Sequence, residues 1–418
     1  MKLIDGIPVF GEPDPGALEQ IKVCAKTADY VALMADNHKG YSVPIGGVVA
    51  YRNHISPSGV GFDIACGNKA IRTDANADDI RRNIAKIMDD IWSRISFGIG
   101  QKNNTRVDHE LFEDDPAWEI RNIKNWRDLA RSQLGTVGSG NHYVDIFVDE
   151  LDRVWIGVHF GSRGLGHKIA SFFLEKAGAK DGMDVEPCVL PVASSLGADY
   201  VAGMLLAGRY AYSGRDWVCA EVARILGATI LEEVHNHHNF AWHEMHSGEM
   251  LWVVRKGATP CWPGQKGFIG GSMGENAVIV EGDPKYLRPG VYADRFENAN
   301  LFSSPTQFSH KMYWPSDSLY STVHGAGRVM SRTAARGKIH RKTGRVISEG
   351  CVTREMMNAW LAKAGVVLRG GGTDESPDCY KRLPDVLAHH SDSIRILHTL
   401  RPLGVCMASP DERDPYKD

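Results

Sequence analysis

The stretch Gly61-Phe62-Asp63-Ile64-Ala65-Cys66-Gly67 sets a carboxylate and a thiol three residues apart between two glycines. In a tight turn both side chains can point at one ion. The thiolate is a soft, strong ligand for a divalent transition metal, and the aspartate adds a hard one. The segment also fits a plainer reading, a buried cysteine beside a turn aspartate, so its weight depends on its surroundings. Immediately before it runs Ser56-Pro57-Ser58-Gly59-Val60, and further upstream Asp36-Asn37-His38-Lys39-Gly40-Tyr41 and Pro44-Ile45-Gly46-Gly47. Glycine concentrates in such short polar motifs, a pattern of sharp turns lining a site rather than of a flexible tether.

Downstream, Gly135-Thr136-Val137-Gly138-Ser139-Gly140-Asn141-His142 offers backbone N–H groups that can approach a phosphate, an amide donor and a candidate metal ligand. Gly157-Val158-His159-Phe160-Gly161-Ser162-Arg163-Gly164-Leu165-Gly166 closes a buried strand on His159 and opens a glycine-rich turn, where the Arg163 cation suits an anion. A lone histidine in that position is more often a satisfied core residue than a ligand. Five of the 17 histidines, at positions 235, 237, 238, 243 and 246, crowd into twelve residues, and only one or two need be ligands. In Ser321-Thr322-Val323-His324-Gly325-Ala326-Gly327-Arg328, glycines on both sides of Ala326 permit close approach of a phosphate to the backbone. His324 at the mouth of that turn could be a ligand, a base or a nucleophile; neutral imidazole attacks phosphorus and forms a labile phosphoramidate. Arg328, Arg332 and Arg336 lie four apart, which predicts a helix with a basic face, and seven Lys/Arg with no acidic residue fill Arg328 to Arg345. Such a run fits a solvated surface; beside a phosphate site it also fits an RNA backbone.

The chain of 418 residues is long enough for one large domain or two to three smaller ones, and no linker, repeat or low-complexity segment divides it. Its net charge of −3 excludes a polycation, so nucleic-acid contact must come from a local basic patch. Apolar runs such as Val31-Ala32-Leu33-Met34-Ala35 are too short to span a bilayer, and Met1-Lys2-Leu3-Ile4-Asp5-Gly6 has no signal-peptide core. The expectation is a cytoplasmic protein with no membrane association. The eight cysteines stand singly, without a CxxC; apart from Cys66, they read as small buried hydrophobes in reduced form. Periodicity predicts helices over 78–96, 168–178 and 217–233, and buried strands over 154–159 and 250–254. This order gives an α/β or α+β class without clean βαβ alternation. Neither a Rossmann fingerprint nor a Walker A motif is present.

Taken in order, these segments resemble the RtcB family of RNA-splicing ligases, over nearly the whole chain. The family's Asp-Val-His-Gln-Gly followed by Pro-Ile-Gly-Gly is similar to residues 36–47, and its Gly-Tyr-Asp-Ile-Asn-Cys-Gly to 61–67. Its Gly-Gly-Gly-Asn-His resembles 138–142, its His-Ser-Gly-Ser-Arg-Gly-Leu-Gly resembles 159–166, and its His-Asn pair resembles His238-Asn239. Arg255-Lys256-Gly257-Ala258-Thr259 and Gly271-Ser272-Met273-Gly274 match further motifs, and His324-Gly325-Ala326-Gly327-Arg328 matches the guanylylation motif.

The resemblance implies an RtcB-like mixed α/β fold: one catalytic domain over 1–418, with sheets and surrounding helices about a central dinuclear metal cleft and a polar tail over 408–418. It implies two Mn²⁺ ions bridged by the Cys66 thiolate and held by Asp63, His142, His159 and His238; Zn²⁺ and Co²⁺ accept the same donors. His324 would attack the α-phosphate of GTP to give His–GMP. An RNA 3′-phosphate, first opened from a 2′,3′-cyclic phosphate, would take the GMP, and a 5′-hydroxyl would displace it and seal the strand. Around the nucleotide the resemblance places Asn141, His142, Asp145, His238, Asn239, Gly271, Ser272, Met273, Gly325, Ala326, Gly327 and Met407. Near RNA phosphates it places Asp36, Arg163, Lys256, Arg328 and Arg332. It allows an archease-type activating partner without deciding whether one is needed.

Three departures concern the base. Where the family ends Pro-Leu-Gly-Val-Val-Lys-Gly, with the lysine on guanine, this chain has Pro402-Leu403-Gly404-Val405-Cys406-Met407-Ala408, and Met407 cannot donate a hydrogen bond. The family's base-reading glutamate is Asp145, and a serine after Ser-Met-Gly is Ala277. Losing one well-placed donor costs about 1–3 kcal/mol of discrimination, so a relaxed or altered nucleotide preference is expected. Two other readings compete: a metal-dependent cyclic phosphoesterase that does not ligate, and a non-catalytic RNA-binding subunit. A complete donor set argues against the second.

Overall fold

Short apolar runs punctuated by glycine turns form two large sheets in the computed structural model, which describes residues 1–180, 182–283, 317–339 and 345–410. The first has six strands in the order Lys2–Ile4, Ile7–Val9, Tyr30–His38, Ile45–Tyr51, Glu249–Lys256, Asn239–His246. The second has eight. Ile230–His237, Gly67–Asn76, Arg153–Phe160, Tyr143–Val148, Ile394–Met407, Ala277–Gly282 and Lys266–Ile269 lie side by side, and Val367–Arg369 joins Ile394–Met407 in parallel. Most pairings are antiparallel, which matches the expected mixed class without βαβ alternation.

The two sheets are joined through one residue. Ile230–His237 is the last strand of one sheet, Asn239–His246 the last of the other, and His238 lies between them. The His238 N–H donates to the Cys66 carbonyl at 2.8 Å, and the Ala65 N–H donates to the Asn239 carbonyl at 2.7 Å. The turn that carries Asp63 and Cys66 is thereby tied to the joint. Ala65 adopts a left-handed φ of 59° to make the turn, a state that costs a non-glycine residue about 1–2 kcal/mol. Gly67 has no room for a side chain: a Cβ there would sit 2.2 Å from the Asn236 carbonyl oxygen.

Helices cover the second sheet. In Ala77–Arg94 the Asn76 side chain accepts from the Asp78 and Asp79 N–H groups, acidic residues fill the first turn, and Ile80, Ile87, Met88 and Ile91 are buried. This is the helix expected over 78–96. The helix expected over 168–178 starts earlier and spans Arg163–Lys176. The strands expected over 154–159 and 250–254 lie within Arg153–Phe160 and Glu249–Lys256.

Two expectations are corrected. Residues 217–233 are not one helix. The 32-residue helix Ser195–Leu226 ends at Gly227, in the left-handed region at φ 64°, and Ile230–His237 then pairs with Gly67–Asn76 as an edge strand. The glycine stops the helix and cross-strand pairing takes the next segment. The basic helix expected through Arg328, Arg332 and Arg336 shortens to Arg332–Arg336, because the Ser331 side chain caps it there, while Arg328 makes an extended bridge with Tyr380. Residues 340–344 of the basic run and 411–418 of the polar tail lie outside the described residues. Cysteine burial is also less uniform than expected, since Cys351 is exposed and Cys188 half-buried. No described helix is long and apolar enough to cross a membrane.

Asn76→Ala should lower stability by about 1 kcal/mol, read as a fall in the urea midpoint. An unchanged midpoint would show that the cap does not support the helix.

Candidate metal centre and the cleft around it

At the joint, donors remote in sequence converge. Asp63 and Cys66 come from the turn, His142 from the residue before Tyr143–Val148, His159 from Arg153–Phe160, and His238 from the joint itself. Cys66 Sγ lies 3.5 Å from His142 Nε2 and 3.5 Å from His159 Nε2. Two donor groups result, Asp63/Cys66/His142 and Cys66/His159/His238, with the donor atoms of each within 4.8 Å of one another. The one thiol belongs to both groups.

The hydrogen bonds fix which imidazole nitrogen faces inward. The Asn68 amide N–H donates to the Phe268 carbonyl at 2.9 Å and to the His324 carbonyl at 3.4 Å. Its oxygen must therefore face His159 Nδ1, 2.5 Å away, and Nδ1–H donates to it. That leaves the Nε2 lone pair directed at Cys66, the arrangement that orients metal-binding histidines. Arg215, fully buried, donates through one terminal nitrogen to the carbonyls of Ala65 at 3.0 Å and Phe160 at 2.5 Å. It clamps the backbone on either side of the centre.

Burial sets the protonation states. It pushes the Cys66 thiol well up, and the neighbouring Asp63 carboxylate pushes it further. It also holds His142, His159 and His238 below the ordinary imidazole value, so the rings are neutral, the form that binds metals. Burial alone would raise Asp63 too, but the hydrogen bond with His142, 3.0 Å long, and the Arg163 guanidinium more than offset it. A soft thiol, neutral imidazoles and one carboxylate fit a divalent transition ion, which would supply the charge that deprotonates the thiol. His238 Nδ1 is moreover buried without a hydrogen-bond partner.

His324 stands beside this centre, its ring 4.9 Å from that of His238. It follows the strand Ser321–Val323, which pairs with Ala258–Pro260. Asp36 lies where the register of Tyr30–His38 against Ile45–Tyr51 breaks, an irregularity typical of strands beside functional sites. Its Oδ2 accepts from the His324 N–H at 2.9 Å and from His324 Nδ1 at 2.6 Å. Burial favours a neutral Asp36, yet His324 more than compensates and the carboxylate stays below its ordinary value. Nδ1–H donates to this carboxylate, and Nε2 is the ring nitrogen turned away from it. Gly327 is required by the same packing, since at φ 76° its Cβ would fall 2.1 Å from the Asp36 carbonyl oxygen.

A cleft of about 860 Å³ opens from these groups, and Asn141, Asp145, Asn239, Gly271, Ser272, Met273, Gly325, Ala326, Gly327 and Met407 all line it. The residues expected at RNA phosphates divide. Lys256 lines the cleft, but its ammonium donates to the Tyr41 and Ser58 carbonyls and burial pulls its pKa down to about 8. Arg328 and Arg332 line it too, paired with the buried Glu375. Asp36 is not at the cleft surface: it is fully buried and engaged by His324. Arg163 begins a helix at φ 54° and faces His142, 3.5 Å from its Nδ1.

Of the five crowded histidines only His238 joins a donor group. His235 and His237 contact Arg215, His243 stacks on Trp252, and His246 contacts Glu244. Sequence reading missed Asn68, Arg215 and the Asp374–Glu375 pair. Only Arg215 left a trace, as a charge in a helix face otherwise built from Ala207, Ala211, Val218 and Val222.

Fold and site together define a mixed α/β protein with a buried Cys/His/Asp centre suited to metal ions, and a carboxylate-held histidine at its edge. The chain belongs to the RtcB family: the family profile described as "tRNA-splicing ligase RtcB" matches residues 18–288 and 313–408. The chain is 29% identical to the RNA-splicing ligase RtcB of Escherichia coli K12, over 96% of this chain and 95% of that protein. It is 29% identical to the tRNA-splicing ligase RtcB of Archaeoglobus fulgidus, over 89% and 86%. It is 28% identical to that of Thermococcus kodakarensis, over 90% and 87%.

Titration with Co²⁺ should produce thiolate-to-cobalt absorption that disappears in Cys66→Ala. Asn68→Ala should weaken uptake by about 10- to 100-fold. An unaltered spectrum in Cys66→Ala would refute the shared-thiol centre.

Proposed function

We propose that the chain, acting as one catalytic domain over 1–418, joins RNA ends through a nucleotide carried on His324. The observation that most supports this is the His324 ring, held by Asp36 through Nδ1 and set against His238 of the donor set. The relatives' names, tRNA- and RNA-splicing ligases, support the same activity. The family resemblance implies GTP as the donor and Mn²⁺ as the metal, with ions held by Asp63, Cys66, His142, His159 and His238. Bound there, the ions would neutralise charge on the reacting phosphates.

His324 Nε2 attacks the α-phosphorus of the nucleoside triphosphate, forming an N–P bond as pyrophosphate leaves. The imidazole gains positive charge, and Asp36 stabilises it without taking the Nδ1 proton. Glycine N–H groups of the 325–327 turn and Asn141 hold the nucleotide phosphate. An oxygen of the RNA 3′-phosphate, opened beforehand from a 2′,3′-cyclic phosphate, displaces His324 and takes the nucleotide. A 5′-hydroxyl then attacks that phosphate, the nucleoside monophosphate leaves, and the strand is sealed. Arg328, Arg332 and Lys256 line the cleft, and RNA phosphates would take them from their present partners, Glu375 and the Tyr41 and Ser58 carbonyls. An archease-type activator and a cytoplasmic setting belong to the same proposal.

Intact-mass measurement after incubation with Mn²⁺ and each nucleoside triphosphate in turn should show the gain of one nucleoside monophosphate, absent in His324→Ala. Asp36→Asn should slow its formation by about 10²- to 10⁴-fold. Cyclic-phosphate opening with no mass gain would replace this reading with the phosphoesterase one. RNA binding that Cys66→Ala leaves intact, with neither reaction in wild type, would leave an RNA-binding subunit.

A further inference from the structure

Beside the metal donors, where the Tyr143 ring stacks on that of His159 with centroids 5.4 Å apart, Tyr143 and Asp145 stand two residues apart on one strand, so both face the same side of the sheet. The neighbouring strand sets Met407 opposite Tyr143 and Val405 opposite Asp145. Met273 packs against Tyr143, Val405 and Met407. All five residues line the cleft. The result is an apolar pocket with a single carboxyl group in its lining. Asp145 is 7% exposed, and among the described residues its Oδ1 is buried without a hydrogen-bond partner. The Tyr143 hydroxyl is likewise without one. Two other buried acids have cationic or donor partners: Asp36, behind the cleft wall, has His324, and Glu375, in the wall, has Arg328 and Arg332. Among the described residues no basic side chain acts on Asp145, and burial holds its carboxyl well above the ordinary range. An unpartnered acid in an apolar pocket is stable as the neutral acid, and a neutral acid presents one donor and one acceptor side by side.

We infer that this pocket takes adenine, with the Asp145 carboxyl group donating to N1 and accepting from the N6 amino group. The inference rests on the nucleotide reading of the cleft and specifies its base. Guanine presents two donors on that edge, N1–H and the 2-amino group, and sets a carbonyl oxygen beside them. One donor would meet the O–H of the acid, and the carbonyl would face apolar side chains. Cytosine offers an acceptor–donor pair but also a carbonyl oxygen on the same edge. Adenine alone among the four bases has no carbonyl oxygen, so its pairing edge sets no carbonyl against Met273, Val405 and Met407. A site whose polar groups fit one base edge rejects a mismatched edge because buried groups are left unpaired.

Equilibrium dialysis of the full-length chain with Mn²⁺ and the α,β-methylene analogues of ATP, GTP, CTP and UTP tests this. The ATP analogue should bind at least about tenfold more tightly than the other three. Asp145→Leu should abolish that preference, and Asp145→Asn, which keeps one donor and one acceptor, should restore most of it. Preference for GTP, for CTP, or for none overturns the inference. Preference for GTP with a GMP adduct would leave the ligase reading standing, while preference for ATP with no adduct from any triphosphate would do the reverse. Failure of every analogue to bind would end both.

Discussion

The hydrogen bond from the His238 N–H to the Cys66 carbonyl, 2.8 Å long, holds together what the rest of the site requires. It ties the turn bearing Asp63 and Cys66 to the residue where one sheet hands the chain to the other. A thiol shared by two donor groups tolerates little displacement, because a shift that favours one group loses the other. The fold answers this with redundancy. Ala65 is held in a left-handed conformation by a bond to Asn239 on one side and by Arg215 on the other. Gly67 lets the edge strand of the second sheet close directly over the turn. These elements are strands and a long helix rather than loops, and rigid elements hold ligand geometry more accurately.

Burial then allots a distinct chemical state to each group. Imidazoles at the centre are kept neutral and ready as ligands, and the thiol is left protonated until a cation arrives. Carboxylates persist only where a partner opposes the desolvation cost, as Asp36 does beside His324. The same rule separates Asp36 from Asp145. Both are buried, but one is engaged by the Nδ1 side of His324, while the other, among the described residues, has no basic neighbour and lies opposite Val405. The His324 side and the Asp145 side of the cleft thus carry opposite electrostatics.

Much of this could be read along the chain. The Asp63–Cys66 turn, the His142 and His159 motifs and the His324–Arg328 turn were each recognisable, and the structure brings their donors within a few ångströms. The helix Ala77–Arg94 was plain from its apolar spacing. What was hidden has a common cause. Asn68 and Arg215 act on residues about 90 and 55–150 positions away in sequence through hydrogen bonds that no local pattern announces. Arg328 and Arg332 looked like an open basic track because their partner Glu375 comes from a distant segment. Asp36 looked like a phosphate contact because nothing near it reveals a bond to His324, 288 residues on.

The sequence by itself therefore determined the donor chemistry, the helix caps and the glycine positions where backbone approaches backbone, since these depend on residue type and near neighbours. Tertiary structure decided which of the five crowded histidines serves the centre, which nitrogen each ring presents, and which acids keep their charge. Those outcomes depend on sheet register and on burial, and both are properties of the packed chain rather than of any segment of it.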